Sequence, residues 1–141
     1  MSQTDTFHWP IRVYYEDTDS GGVVYHANYL NFMERARTEW LRALGLEQTV
    51  LQDTYNVIFV VHSMQLQFKK PARFNDLLDV QSHCEHIGFG SLTFKQTIMR
   101  HQEMLHIAEV KVACVDAVQF KPVPIPQAMT RVLKQRITAA T

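Results

Sequence analysis

The amino-acid sequence predicts an α+β domain in which one long helix lies on an antiparallel sheet of about five strands. Three observations lead there. Residues 27–44 repeat their apolar positions at helical spacing, and no other long stretch does. The apolar stretches after residue 57 alternate with the two-residue period of a strand. Glycine, proline and Asn-Asp punctuation cuts these stretches into short, hairpin-like lengths.

The first element is a strand over residues 7–16, where Val13, Tyr14 and Tyr15 favour extended backbone. Pro10 cannot donate to a ladder, so this strand belongs at a sheet edge. The helix over 27–44 follows. Tyr29, Met33, Ala36, Trp40 and Leu44 form its apolar stripe, widened by Leu30 and Leu41. Glu34, Arg35, Arg37, Glu39 and Arg42 are assigned to the opposite, solvated face, with Arg35 and Glu39 spaced to pair. Gly45 stands where a helix ends in left-handed backbone. A further helical turn is read over 47–54. Strands are read over 57–69, 77–86, 91–100 and 105–117, joined as antiparallel hairpins. Pro122, Pro124 and Pro126 end the sheet, and 127–136 form a closing helix. The polar ends, 1–6 and 138–141, are expected to be loose. The 141 residues therefore make a single domain.

Composition narrows the function. With 14 basic and 14 acidic residues the formal charge is zero, which argues against nucleic acid or an anionic membrane as partner. The longest apolar run, residues 57–61, is too short to span a bilayer. The N-terminus reads as no secretory signal, so the cytoplasm is the expected compartment. Cys84 and Cys114 fit a reduced intracellular protein, with one disulfide as the alternative.

The densest chemical signal is Tyr14-Tyr15-Glu16-Asp17-Thr18-Asp19-Ser20-Gly21-Gly22-Val23-Val24-Tyr25-His26. Three carboxylates stand within four residues, immediately before the long helix. The first amides of a helix are unpaired and carry partial positive charge. They can hold the oxyanion formed when a carbonyl is attacked. A loop carboxylate beside them can attack that carbonyl or take a proton from water. The two adjacent glycines allow a backbone that other residues resist, or close approach of a ligand, and Gly22 and Val23 are the candidate substrate contacts. The same residues also suit plain turns and helix caps.

This segment, with Ala27-Asn28-Tyr29-Leu30 and Glu34-Arg35-Ala36-Arg37-Thr38-Glu39, closely resembles the 4-hydroxybenzoyl-CoA thioesterase family, and within it the acyl-CoA thioesterases associated with the bacterial Tol–Pal system. Phe59-Val60-Val61 and Pro71-Ala72-Arg73 are similar to the same family's second-strand region. The resemblance implies a hot-dog fold, pairing into homodimers or homotetramers, and hydrolysis of acyl-CoA thioesters without metal or other cofactor. Carried over, it places the catalytic carboxylate on Asp19 and the oxyanion donor on the backbone amide of His26. Tyr15 and the His26 side chain belong to the same signature, as positioning or loop-supporting groups. Asp19 acts as nucleophile, giving a mixed anhydride, or as general base; both stay open. Some relatives hold the CoA phosphates with basic residues near the third-to-fourth strand turn. Here that turn reads His86-Ile87-Gly88-Phe89-Gly90-Ser91, so Lys69, Lys70, Arg73 or Arg100 are the substitutes, and acyl carrier protein is the alternative carrier.

Other candidates are weaker. His83-Cys84-Glu85-His86 alternates its side chains across a strand and cannot converge on one metal ion. Cys114 sits in an apolar run and reads as inert. Glu34 reads as a helix-surface residue paired with Arg37 or Thr38 rather than a second catalytic carboxylate. Two rival functions follow the same fold. One is a non-catalytic acyl-CoA or acyl-carrier-protein binding module of an envelope complex. The other is a hot-dog dehydratase, for which His26 and Glu34 are poorly placed.

Overall fold

The computed structural model describes residues 6–138. The chain runs β1 (Phe7–Arg12), α1 (Asn28–Ala43), α2 (Gln48–Tyr55), β2 (Val57–Phe68), β3 (Leu77–Ile87), β4 (Ser91–Arg100), β5 (Glu103–Asp116) and α3 (Gln127–Thr138). The strands form one antiparallel sheet in the order β1-β3-β4-β5-β2. β3, β4 and β5 are successive hairpins, as the short turns predict. β2 is not paired to β3. It crosses to the far edge and pairs with β5, from Val57↔Asp116 to Phe68↔His106. The connection from β2 to β3 is long enough to make that crossing, so the hairpin expected there is replaced by a crossover.

The end of the first strand differs from the sequence reading. β1 stops at Arg12, and Tyr15–Asp17 close a single 3-10 turn where extended chain was expected. The Asp17 carboxylate causes this: its Oδ2 accepts the Tyr14 N–H at 2.8 Å and bends the chain back. Pro10 does lie on an edge strand, opposite Asp79. α1 occupies the predicted stretch with Ala27 and Leu44 as its caps. It ends in left-handed backbone at Gly45, φ 77°. Leu46 N donates to Leu41 O at 2.8 Å and Gly45 N to Arg42 O at 3.0 Å, a pair of bonds that satisfies the last carbonyls. The loose end expected at 1–6 lies, apart from Thr6, outside the described residues, as does most of 138–141.

α1 lies against β3 and β1, and α3 against β3. The core fills the space beneath α1: Phe32, Met33 and Ala36 are fully buried over Val80, Phe94 and Ile98. Trp40 meets Phe94 edge to face at 5.5 Å. Each such side chain withdrawn from water contributes about 1.5–3 kcal/mol. Along β4 the buried positions are Leu92, Phe94, Gln96 and Ile98, which puts an amide in an apolar row. Its partners explain it. Gln96 Nε2 donates to Met33 O and Ser82 Oγ, and Gln96 Oε1 accepts from Arg37 Nη1 at 2.9 Å.

Arg37 therefore corrects the helix reading. The helical period places it on the solvated face, yet it is only 8% exposed. The charged residue hides among helix-surface neighbours in sequence because the polar row it answers lies on β3 and β4. The Arg35–Glu39 pair does not form either; Glu39 accepts from Arg42, one turn on, at 2.7 Å.

Candidate active site

The chain from Val13 to His26 is held at both ends. Buried Val13 exchanges backbone bonds with the loop before β3: its N–H donates to Asp76 O and its carbonyl accepts from Asn75, each at 2.9 Å. Val24, also buried, donates to Ala72 O at 2.8 Å, and Val23 bridges Arg73. Asp17 closes the frame from inside. Besides Tyr14, it takes the Asn28 side-chain amide on Oδ1 at 2.6 Å, tying the loop to the first turn of α1. Its burial is complete enough, and its oxygens engaged enough, to make it a structural carboxylate.

Asp19 sits at the tip of this frame and is exposed. Its N–H donates to Val23 O at 2.9 Å, and its carbonyl accepts from Gly22 at 3.1 Å. Gly22 has φ +79°, the left-handed backbone that a side chain strains. Oδ1 of Asp19 accepts the Gly21 N–H at 2.8 Å. A Cβ on residue 21 would stand 3.2 Å from that oxygen. The Gly-Gly pair thus lets the chain wrap around the carboxylate, and Oδ2 is left without a protein partner among the described residues.

α1 begins without a side-chain cap: Ala27 occupies the capping position and contributes none. Among the described residues nothing accepts the His26 N–H. A free amide therefore stands at the positive end of a sixteen-residue helix. The His26 ring leans on Tyr25 at 4.4 Å and is exposed.

His26 opens onto a cleft of about 300 Å³ lined by Val24, Tyr29, Phe68, Lys69, Lys70 and Pro71. The Tyr29 hydroxyl accepts the Ala72 N–H at 2.9 Å, and burial raises its pKa. Behind this wall lies His106, wholly buried, stacked on Tyr29 at 5.1 Å and edge-on to Phe68 at 4.6 Å. Neither of its nitrogens has a hydrogen-bond partner, and burial lowers its pKa to about 4.

The basic residues divide into engaged and free. Lys70 pairs with Glu103 at 2.8 Å. Arg100 pairs with Asp76 at 2.8 Å and Glu103 at 2.6 Å and reaches the Pro71 carbonyl. Bonds from Lys70 and Arg100 hold Glu103 down at a pKa of about 2. The Lys69 ammonium and the Arg73 guanidinium have no anionic partner among the described residues, so they are the cations open to a phosphate.

The site residues read from sequence thus gather in two groups. Asp19, Gly22 and Val23 share one tight turn with Arg73 bridged to it; His26, Lys69 and Lys70 share the cleft. Asp19 is not among the residues that line the cleft. Tyr15 stands apart, 74% exposed and stacked face to face on Phe74 at 3.8 Å. Phe74, Phe68 and His106 are not singled out in the sequence; only their neighbourhood to the motif in three dimensions marks them, while Asn28 lies within the motif without an assigned role. Glu34 accepts from Thr38 Oγ1 at 2.9 Å on the helix surface. Cys84 and Cys114 are free and buried, and burial pushes each thiol up to about 11, leaving them protonated and unreactive. Among the described residues no group of three or more His, Cys, Asp or Glu side chains is placed to hold a metal ion.

Comparison with known proteins gives the family of the chain. The family model described as Thioesterase superfamily matches residues 21–107. The chain is 47% identical to the acyl-CoA thioesterase YbgC of Haemophilus influenzae over 121 residues, 86% of this chain and 89% of that protein. It is 45% identical to the acyl-CoA thioester hydrolase YbgC of Escherichia coli over 133 residues, 94% of this chain and 98% of that protein. A crystal structure of a probable thioesterase from Bartonella henselae superimposes with a TM-score of 0.83 at 34% identity, covering 86% of this chain and all of the other.

Proposed function

The chain belongs to the thioesterase superfamily and is a hydrolase with the hot-dog fold, and from that premise we propose that it cleaves acyl-CoA thioesters with Asp19 as the catalytic carboxylate. One observation carries the reading: an unpaired amide, that of His26, stands at an uncapped helix start a few residues from a carboxylate with a free oxygen.

The thioester carbonyl oxygen sits on the His26 N–H, where negative charge develops as the carbon becomes tetrahedral. Asp19 Oδ2 bonds to that carbon, the C–S bond breaks, and the thiolate leaves with its electron pair. Water then cleaves the mixed anhydride, restoring the carboxylate and releasing the acid. In the other branch Asp19 takes a proton from water, which attacks directly. Thiolate is a good leaving group, so neither branch needs a general acid at that step. The free Lys69 and Arg73 cations suit the phosphates of CoA, with Lys70 fixed by Glu103 as a lesser contributor. Gly22 and Val23 border the reacting carbon, and Tyr15 positions the loop through its stack on Phe74.

The working form is a homodimer, or a tetramer built from it. β2 is an unpaired sheet edge with Val60 and Val61 37% and 48% exposed. Asp19 lies outside the set of residues that line the cleft at His26, and a second copy docked on the β2 edge is the proposed way to complete the site. No helix among the described residues is long and apolar enough to cross a membrane. A cytoplasmic place, acyl carrier protein as alternative carrier and association with the Tol–Pal system rest on the family resemblance and belong to the same proposal.

The test is release of free thiol from a panel of acyl-CoAs by the wild type and by Asp19→Asn. Turnover in the first and its loss in the second, at equal thermal stability, is expected. Saturable acyl-CoA binding with no thiol released by the wild type would instead make this a binding module.

A further inference from the structure

A second cavity, of about 220 Å³, lies between α1 and the sheet on the side of β2. Phe59, Leu92, Phe94 and Val112 give it apolar walls; Arg37 and Glu34 give it a polar rim. It lies well along α1 from the cleft described above. Eleven residues separate His26 from Arg37, about 16 Å at the helical rise.

Arg37 is out of place without a ligand. More than nine-tenths of it is buried, yet its one hydrogen bond goes to the neutral amide of Gln96. No carboxylate lies within ion-pair distance of it among the described residues. Glu34 acts on it only through space, being exposed and turned to Thr38. A guanidinium cannot shed its proton, and a buried charge without a counter-charge is costly. Among the described residues the side-chain nitrogens that are both sealed and unpaired are those of His106 alone. The remaining N–H groups of Arg37 are therefore not sealed, and Arg37 is one of the residues that line the cavity.

We propose that this cavity binds a short organic carboxylate, its oxygens on the free N–H groups of Arg37 and its carbon body against Phe59, Leu92 and Phe94. The planar fork of a guanidinium matches a carboxylate with two parallel bonds. The apolar walls ask for a carbon chain or ring behind the charge, which inorganic phosphate lacks. Within one chain the site is separate from the thioester-cleaving residues, and it rests on the thioesterase reading only for the ligand's origin. That origin is either the acid released by hydrolysis or the far-end carboxylate of a dicarboxylic acyl thioester.

The probe is hexanoate, titrated into the intact protein by calorimetry, with hexan-1-ol and inorganic phosphate as controls. Saturable binding of hexanoate alone is expected, weakened at least tenfold in Arg37→Gln. Phe59→Trp, at a partly buried position on the apolar wall of the same cavity, should weaken it as much and guards against misfolding of the Arg37 variant. Binding that is absent, or unchanged in both variants, overturns the site; so does dissociation of an oligomer by Arg37→Gln, which would give Arg37 a carboxylate of a second copy. The ratio of kcat/KM for adipoyl-CoA over hexanoyl-CoA then assigns the source. A preference for adipoyl-CoA that disappears in Arg37→Gln points to the substrate's own carboxylate, and equal ratios with hexanoate still bound point to the released acid. Loss of turnover in the wild type with hexanoate binding intact would remove the Asp19 mechanism and leave this site standing.

Discussion

Asp17 and Asp19 stand two residues apart in the same loop and differ in how their oxygens are engaged. Asp17 is 7% exposed, and both its oxygens are taken, by the Tyr14 N–H and the Asn28 amide. Asp19 is exposed, and one oxygen is held by Gly21 while the other is free. A carboxylate whose bonds are all made holds structure; one aimed and left with a free oxygen can react. The difference lies in the unused valence rather than in residue type, and it can be broken one side at a time.

The largest effect belongs to Asp19. Replacement by Asn keeps the shape and the Gly21 bond but removes the charge, so thiol release should fall by about 10²–10⁴-fold. The unfolding midpoint should move little, because the side chain is in water on one side. Should Asp19→Asn keep full rate, the division of labour fails. Asp17→Ala should do the reverse in kind. It strands the Tyr14 N–H and the Asn28 side chain in a part-buried place, at a cost of about 1–2 kcal/mol in urea unfolding. Its rate loss would follow from a slack loop and should be partly restored at lower temperature or by substrate saturation, which cannot rescue Asp19→Asn.

His106 sharpens the comparison from a third direction, as a buried polar side chain with no partner at all. In the fold its pKa is lowered to about 4 from the ordinary 6.5 by burial alone. Between those values the unfolded chain binds a proton that the folded chain refuses. Stability is therefore full above pH 6.5 and falls as pH drops towards 4, by up to about 3 kcal/mol. His106→Phe, which keeps the ring stacked on Tyr29, should flatten that slope and add about 1–2 kcal/mol at pH 7. Unfolding curves between pH 4 and 7 measure both; a slope unchanged by the substitution would assign the acid sensitivity to other groups.

How much of this could be read beforehand depends on whether the cause was local. The α1 stripe, the Gly45 stop and the strand alternation are set by neighbours within a few residues, and they stand where periodicity put them. The family resemblance that points to Asp19, the glycine pair and His26 is carried by one contiguous segment. What escaped depended on distant partners. Arg37 reads as a surface residue until Gln96, 59 positions later, is placed beneath it. The crossover of β2 to the far edge is decided by pairing with β5, which no period in the sequence encodes. Asp17 looks like Asp19 in the motif; only Asn28 and the burial of the turn separate them.

The smallest expected effect tests the link between the glycine pair and the free oxygen. Gly21 has no unusual φ, so an alanine there is not strained by backbone conformation. Its Cβ would stand 3.2 Å from Asp19 Oδ1, closer than comfortable contact, and the yielding partner is the carboxylate itself. The exposed side chain can turn by a few tenths of an ångström at little energetic cost, so stability should change by less than about 1 kcal/mol. A turn of that size nonetheless re-aims Oδ2 at the reacting carbon, and misplacement is punished steeply in the transition state. Gly21→Ala should therefore lower kcat severalfold with KM nearly unchanged. Gly22→Ala, at φ +79°, should instead destabilise by about 1 kcal/mol through the backbone. If both variants lost stability and rate in parallel, the pair would serve the turn alone, and the aim of Asp19 would have to come from elsewhere.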